Sequence, residues 1–108
     1  MVLVPFPNSN LKTTKLRPAL VVQSDQIDSE LSQVILSMIS SNLRRVGHKP
    51  RVLISRNSVT GVASGLLCDS VVMTDNLATV LSIQLTRVIG QLPNMSAVDE
   101  ALRHSLGL

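Results

Sequence analysis

The sequence predicts a small, mostly antiparallel β-barrel or β-sandwich with one helix packed on it at the C-terminal end. Three observations carry this. Short runs of aliphatic and β-branched residues recur along the chain, separated by Pro, Gly and Asn turn signals. One segment, at the C-terminus, carries apolar residues at a clear helical spacing. A chain of 108 residues is the size of one domain and can bury a core without metal or disulfide.

The elements follow in order. Residues 2–6 read as a short strand, stopped by Pro5 and Pro7, and Pro7-Asn8-Ser9-Asn10 is turn chemistry. The run Lys15-Leu16-Arg17-Pro18-Ala19-Leu20-Val21-Val22 reads as a strand with Pro18 at its start, where a sheet tolerates a missing N–H. Its continuous apolar half, residues 19–22, suits a strand buried on both faces. Residues 33–41 form a third strand ending in the hydroxyls of Ser40 and Ser41, and residues 42–50 a basic loop. Residues 51–55 form a fourth strand, after which Gly61 and Gly65 punctuate the chain. Residues 66–68 and 70–73 read as strand pieces with Asp69 at a bulge or kink between them. Residues 79–84 are ambiguous by period, and residues 85–92 alternate like a last strand. The helix opens at Ser96 as N-cap, with Asp99 three residues on, and buries Val98, Ala101, Leu102 and Leu106; Gly107 ends it.

The core must be aliphatic, because Phe6 is the only aromatic residue. The single Cys68 permits no intrachain disulfide and, in Gly65-Leu66-Leu67-Cys68, reads as a small buried hydrophobe. No signal peptide or membrane-length apolar stretch is visible, so a cytoplasmic protein with no membrane association is expected. The net charge of +3 is unevenly spread. Residues 1–24 carry Lys12, Lys15 and Arg17 with no acid, and residues 31–68 carry Arg44, Arg45, Lys49, Arg51 and Arg56, again with no acid. Acids fall at Asp25, Asp28 and Glu30 and from Asp69 onward. This favours a polyanionic partner over a neutral one, with a solvated basic loop as the plainer reading.

Candidate chemistry stands where strands end. Arg17 is either a surface or salt-bridged arginine or a planar fork gripping two phosphate oxygens. Ser40 and Ser41 either satisfy nearby backbone or donate to an anion. Asp75 follows the strand piece ending at Met73. His104 suits a helix C-terminus, and His48 lies in the basic loop. There is no Cys-x-x-Cys, His-x-x-x-His, Gly-rich phosphate loop or nucleophile elbow, so no metal or cofactor is expected.

Taken in order, these segments resemble the MazF/PemK family of toxin endoribonucleases. The matching pieces are Val2-Leu3-Val4-Pro5-Phe6-Pro7, the Arg-Pro strand from Lys15 to Val22, and Val34-Ile35-Leu36-Ser37-Met38-Ile39-Ser40-Ser41. Gly65-Leu66, Asp69-Ser70-Val71-Val72, Asp75-Asn76, Thr79-Val80 and Ile89-Gly90-Gln91-Leu92 follow, and the last helix completes the series. Each piece is weak alone; their order over residues 2–108 is specific.

The resemblance implies a mainly β fold with α additions, an SH3-like barrel of antiparallel strands with a C-terminal helix, as one toxin domain over residues 1–108. It implies a homodimer that cleaves single-stranded RNA at short motifs without metal, leaving a 2′,3′-cyclic phosphate or 3′-phosphate and a 5′-OH, and a cognate antitoxin as partner. Carried over, the catalytic residues are Arg17, Ser40 (for the family's threonine) and Asp75. Lys12, Lys15, Ser41, Asn42, Arg44, Arg45, His48, Lys49, Arg51 and Arg56 are then RNA-binding candidates. Met73 departs from a second basic catalytic residue found in some members, and Asn76 from a common glutamine. The Gly-Asp or Gly-Glu before the family's first strand is absent. The competing readings are a gyrase-poison-like binding module of the same fold, or a degenerate member that binds antitoxin without cutting.

Overall fold

The computed structural model describes residues 1–7, 12–23 and 32–108. Its elements are β1 (Val2–Pro7), β2 (Thr14–Val21), β3 (Gln33–Ser40), β4 (Arg51–Ile54), α1 (Val59–Ser64), β5 (Ser70–Leu81), β6 (Arg87–Val88) and α2 (Ser96–Leu106), with a 3-10 turn at Ser82–Gln84. All strands join one sheet in the order β4-β5-β3-β2-β1-β6, and every pairing is antiparallel. β4 and β6 remain its edges, so the sheet is barrel-like without closing. The expected class, antiparallel β with a C-terminal helix, is the one observed. The turn expected at residues 8–10 and the acids Asp25, Asp28 and Glu30 lie outside the described residues.

Alternation explains the continuous apolar runs. Successive side chains leave a strand on opposite faces. Ala19, Leu36 and Met38 pack with Val2 and Val4 on one face. Leu20, Ile39 and Val72 pack with Ile54, Leu66 and Val98 of α2 on the other. Both faces of the central strands are covered, so neither needs a polar alternate.

Pro5 does not stop its strand, contrary to expectation; β1 runs through it to Pro7. The Thr86 N–H donates to Leu3 O at 2.8 Å, so the hydrogen-bonding groups of Leu3 face β6. By the two-residue alternation, the nitrogens of Pro5 and Pro7 face the same side, past the end of β6, which pairs only with Val2 and Leu3. Pro18 is not the start of its strand either. It is the fifth residue of β2, opposite Leu3, and lies one position outside the β2–β3 ladder, which begins at Ala19 and Met38.

Other elements also differ from the expectation. The sequence marks α1 only by the glycines within and after it. It has six residues and no apolar stripe: Val59 and Val62 are exposed, and Gly61 and Ser64 are its buried positions. The Ser58 hydroxyl accepts the Gly61 N–H at 2.9 Å to start it, and Gly65 (φ +77°) ends it. Residues 66–68 are not a strand but a surface crossing, with Leu66 buried and Leu67 exposed. The alternation at residues 85–92 yields only the two-residue β6.

β5 is one twelve-residue strand interrupted by a bulge. Met73 pairs with Met38, but the next β3 residue, Ser37, pairs with Leu77, so Thr74, Asp75 and Asn76 have no counterpart. The buried Ser37 hydroxyl donates to Met73 O at 2.8 Å. Thr74 donates through its N–H and its hydroxyl to Pro50 O, and its Oγ1 lies 2.8 Å from Ser105 Oγ of α2. The bulge thereby ties the C-terminal helix to the sheet.

α2 begins one residue earlier than a Ser96 cap requires. Met95 is its boundary, and Asn94 Oδ1 accepts the Ser96 N–H at 2.9 Å. Val98 and Ala101 are buried and Leu102 half-buried, but Leu106, expected on the buried face, is exposed.

Candidate functional site

The β2–β3 ladder stops at Ala19 and Met38. Two steps back along β2 and two forward along β3 set Arg17 across from Ser40, unpaired. The strands diverge there, and a pocket of about 710 Å³ opens between them. Leu3, Pro18, Ile39 and Leu66 give it apolar walls; Lys15, Arg17, Ser40, Ser41 and Arg87 supply its polar groups. Residues 65–68 and 87–89 close its sides.

Arg17 is partly buried beside Val4, and its Nε is buried with no hydrogen-bond partner among the described residues. Such an orphan donor is rare and costs about 1–3 kcal/mol when left unpaired. The Arg51 Nε is likewise unpartnered, but the Arg51 Nη2 donates to Asp75 Oδ2 at 3.1 Å, and Arg51 does not line the pocket. Ser40 Oγ accepts the Asn42 N–H at 3.0 Å, which leaves its own proton to donate. Asn42 Oδ1 in turn accepts the Arg44 N–H at 3.0 Å, so Asn42 staples the basic loop to the end of β3.

Among the described residues, three cations and no acid line this pocket. Two guanidiniums and an ammonium around hydroxyl donors form a receptor for phosphate oxygens. The same residues leave no group of three His, Cys, Asp or Glu side chains that could hold a metal ion.

The structure brings together Arg17, Ser40, Ser41 and Lys15, and leaves the other expected residues elsewhere. Asp75 sits on the β5 bulge, exposed and ion-paired with Arg51 on β4, and does not line the pocket. It was expected after a strand end; the bulge keeps it inside β5. Lys12 is exposed at the approach to β2. Arg44, Arg45, His48 and Lys49 are exposed in the turns between β3 and β4 and line no pocket described. Met73 packs against the Val2–Leu36 core cluster, and Asn76 is exposed on the bulge. Arg56 lines a second pocket of about 380 Å³ with Ser41, Asn57, Cys68 and Asp69. Cys68 is exposed rather than buried, because its segment crosses the surface between the two pockets and lines both.

Arg87 was missed. The local pattern makes it one more polar residue of an alternating strand. Only the pairing of Arg87 with Leu3, across most of the chain, carries it to the pocket mouth.

A family model described as the PemK-like, MazF-like toxin of type II toxin-antitoxin systems matches residues 1–106. Endoribonuclease MazF6 of Mycobacterium tuberculosis and endoribonuclease MazF2 of Mycobacterium bovis are each 33% identical over 105 residues, 94% of this chain and 88% of the relative. The solved Mycobacterium tuberculosis toxin MazF-mt6 superposes with a TM-score of 0.74 at 24% identity, covering 100% of this chain and 98% of that one. An endoribonuclease in complex with its cognate antitoxin, from a mycobacterial species, shares the fold with a TM-score of 0.73 at 17% identity, covering 99% and 92%.

Proposed function

Because the chain belongs to the PemK-like, MazF-like toxin family of type II toxin-antitoxin systems, we infer that it is an endoribonuclease toxin. We assign cleavage of single-stranded RNA to the pocket between β2 and β3. The observation that supports this site is the placement of Arg17 across from Ser40 at the open end of the ladder, among cations and, of the described residues, without an acid.

The 2′-OH attacks the adjacent phosphorus, the P–O5′ bond breaks, and the products carry a 2′,3′-cyclic phosphate and a 5′-OH. Arg17 stabilises the negative charge that grows on the non-bridging oxygens. Ser40 donates its hydroxyl proton to one of those oxygens and holds the phosphate for in-line attack. Among the described residues neither a carboxylate nor an imidazole lines this pocket, so proton transfer is assigned to no side chain, and not to Asp75, which Arg51 engages.

Purified protein incubated with a long RNA in EDTA is expected to give discrete cuts, each leaving a 5′-OH. Uncut RNA would sink the reading and turn attention to gyrase or to antitoxin binding alone. Lys15 and Arg87 contact backbone phosphate in this reading. Arg87→Ala is expected to weaken RNA binding and to flatten the log affinity against log salt plot by about 0.7. An unchanged slope would remove Arg87 from the site.

The remaining assignments rest on the family. One domain spans residues 1–108, acts in the cytoplasm, and is held in check by a cognate antitoxin whose binding competes with RNA. The chain pairs with a second copy, and the exposed Leu16, Leu67 and Val88 around the pocket give that contact apolar surface. Among the described residues, no helix is long and apolar enough to cross a membrane.

A further inference from the structure

The smaller pocket has a composition that phosphate binding does not explain. It abuts the larger one through Ser41 and Cys68, which line both. A nucleotide neighbouring the phosphate held by Arg17 therefore reaches it directly. Among the described residues, Asp69 is the only acid lining either pocket. A carboxylate beside a polyanion's path lowers affinity by repulsion unless it accepts a hydrogen bond from the ligand.

Asp69 is also held in place. Its Oδ1 accepts the Arg56 N–H at 2.7 Å, which fixes the carboxylate and leaves Oδ2 to accept from a ligand. Asn57 adds an amide to the same pocket, with two donors and an acceptor. With Phe6 as the only aromatic in the chain, base readout must rest on hydrogen bonds more than on stacking platforms.

We propose that this pocket is the subsite for the nucleotide next to the scissile phosphate, and that Asp69, with Asn57 beside it, selects there a base carrying an exocyclic amine. The proposal rests on the RNA-cleavage reading above. Single-stranded RNA is read on the Watson–Crick edges of splayed bases. Cytosine, adenine and guanine each present amine hydrogens on that edge, and carboxylates accept such hydrogens, as from cytosine N4. Uracil presents two carbonyl oxygens flanking its one N–H, and these oppose the carboxylate. Arg56, at the rim, meets the phosphate of the same nucleotide. The plainer role of Asp69, tying the turn before α1, uses only Oδ1 and predicts no base preference.

The test maps cut sites on a long RNA in EDTA for wild type and for Asp69→Asn. An asparagine keeps an Oδ1 to accept the Arg56 N–H and turns the free acceptor into a donor. Wild type is expected to disfavour uracil about tenfold at one position flanking the cut. Asp69→Asn is expected to erase or invert that preference at the same position, with the other positions of the motif unchanged. Asn57→Ala is expected to weaken it at that position too, and its side chain has no hydrogen bond within the described residues to lose. If Asp69→Asn fails to fold, Asn57→Ala decides alone. An unchanged base profile in folded variants overturns the proposal, as does a loss spread evenly over the motif. Absence of cutting by wild type overturns the cleavage reading itself.

Discussion

Replacing Arg17 with alanine is expected to slow RNA cleavage by roughly 10²–10³-fold at saturating RNA, the usual cost of removing one donor from a charge-stabilising site. The loss belongs in the rate of the bound complex, because the charge that Arg17 meets grows only as the 2′-oxygen bonds to phosphorus. Lys15 and Arg87 remain to hold the backbone, so affinity falls far less. The fold is expected to lose little, since the buried Nε has no hydrogen bond to break among the described residues. Arg17→Lys keeps a charge but not the planar fork, and is expected to recover only part of the rate. Single-turnover cleavage at saturating protein, beside thermal melts of each variant, checks this. A folded Arg17→Ala protein cutting at the wild-type rate would remove Arg17 from the chemistry.

The largest expected loss of stability comes from Gly65→Ala. Gly65 has φ +77°, where an L-residue pays about 1–2 kcal/mol. A Cβ there would also lie 2.0 Å from Ile89 O, a backbone atom that cannot rotate away. Relieving such a clash means separating α1 from residues 89–91, where the Gln91 N–H donates to Ala63 O at 2.9 Å. Together these amount to about 3 kcal/mol, or a fall in Tm of about 12 °C. Gly107 supplies the control: its φ is +70° with nothing within 4 Å of an added Cβ, so Gly107→Ala carries the backbone cost alone. Equal melting temperatures for the two variants would show that the contact with Ile89 is not rigid.

Much of the fold was legible because burial on both faces writes itself as unbroken aliphatic runs. Residues 19–21 and 35–39 sit between two core clusters, and no helix of that length competes. The C-terminal helix was legible from Val98 and Ala101 on one face. α1 was not, because its packing depends on small residues, Gly61 and Ser64, rather than on an apolar stripe. Nor was the β5 bulge, which needs Pro50 and Ser105 to hold Thr74. Of the candidate site, Arg17 and Ser40 were visible as polar residues ending apolar runs. Their meeting depends on a register set by Ala19 and Met38. Asp75 was misplaced because its partner, Arg51, is 24 residues away in sequence. Arg87 and the Asp69 pocket depend on contacts between distant segments, which no local pattern encodes.

The sheet order has a consequence for how the protein is made. β1 lies between β2, its neighbour in sequence, and β6, which is built from Arg87 and Val88. A ribosome delivers the first three strands early, and they can pair as they emerge. The pocket wall at residues 65–68 and the Arg87 side are delivered much later. A nascent chain therefore carries Arg17 and Ser40 before the residues that complete the pocket have been made. Most of the charged groups that would grip phosphate are thus made before the walls that shape them into a pocket.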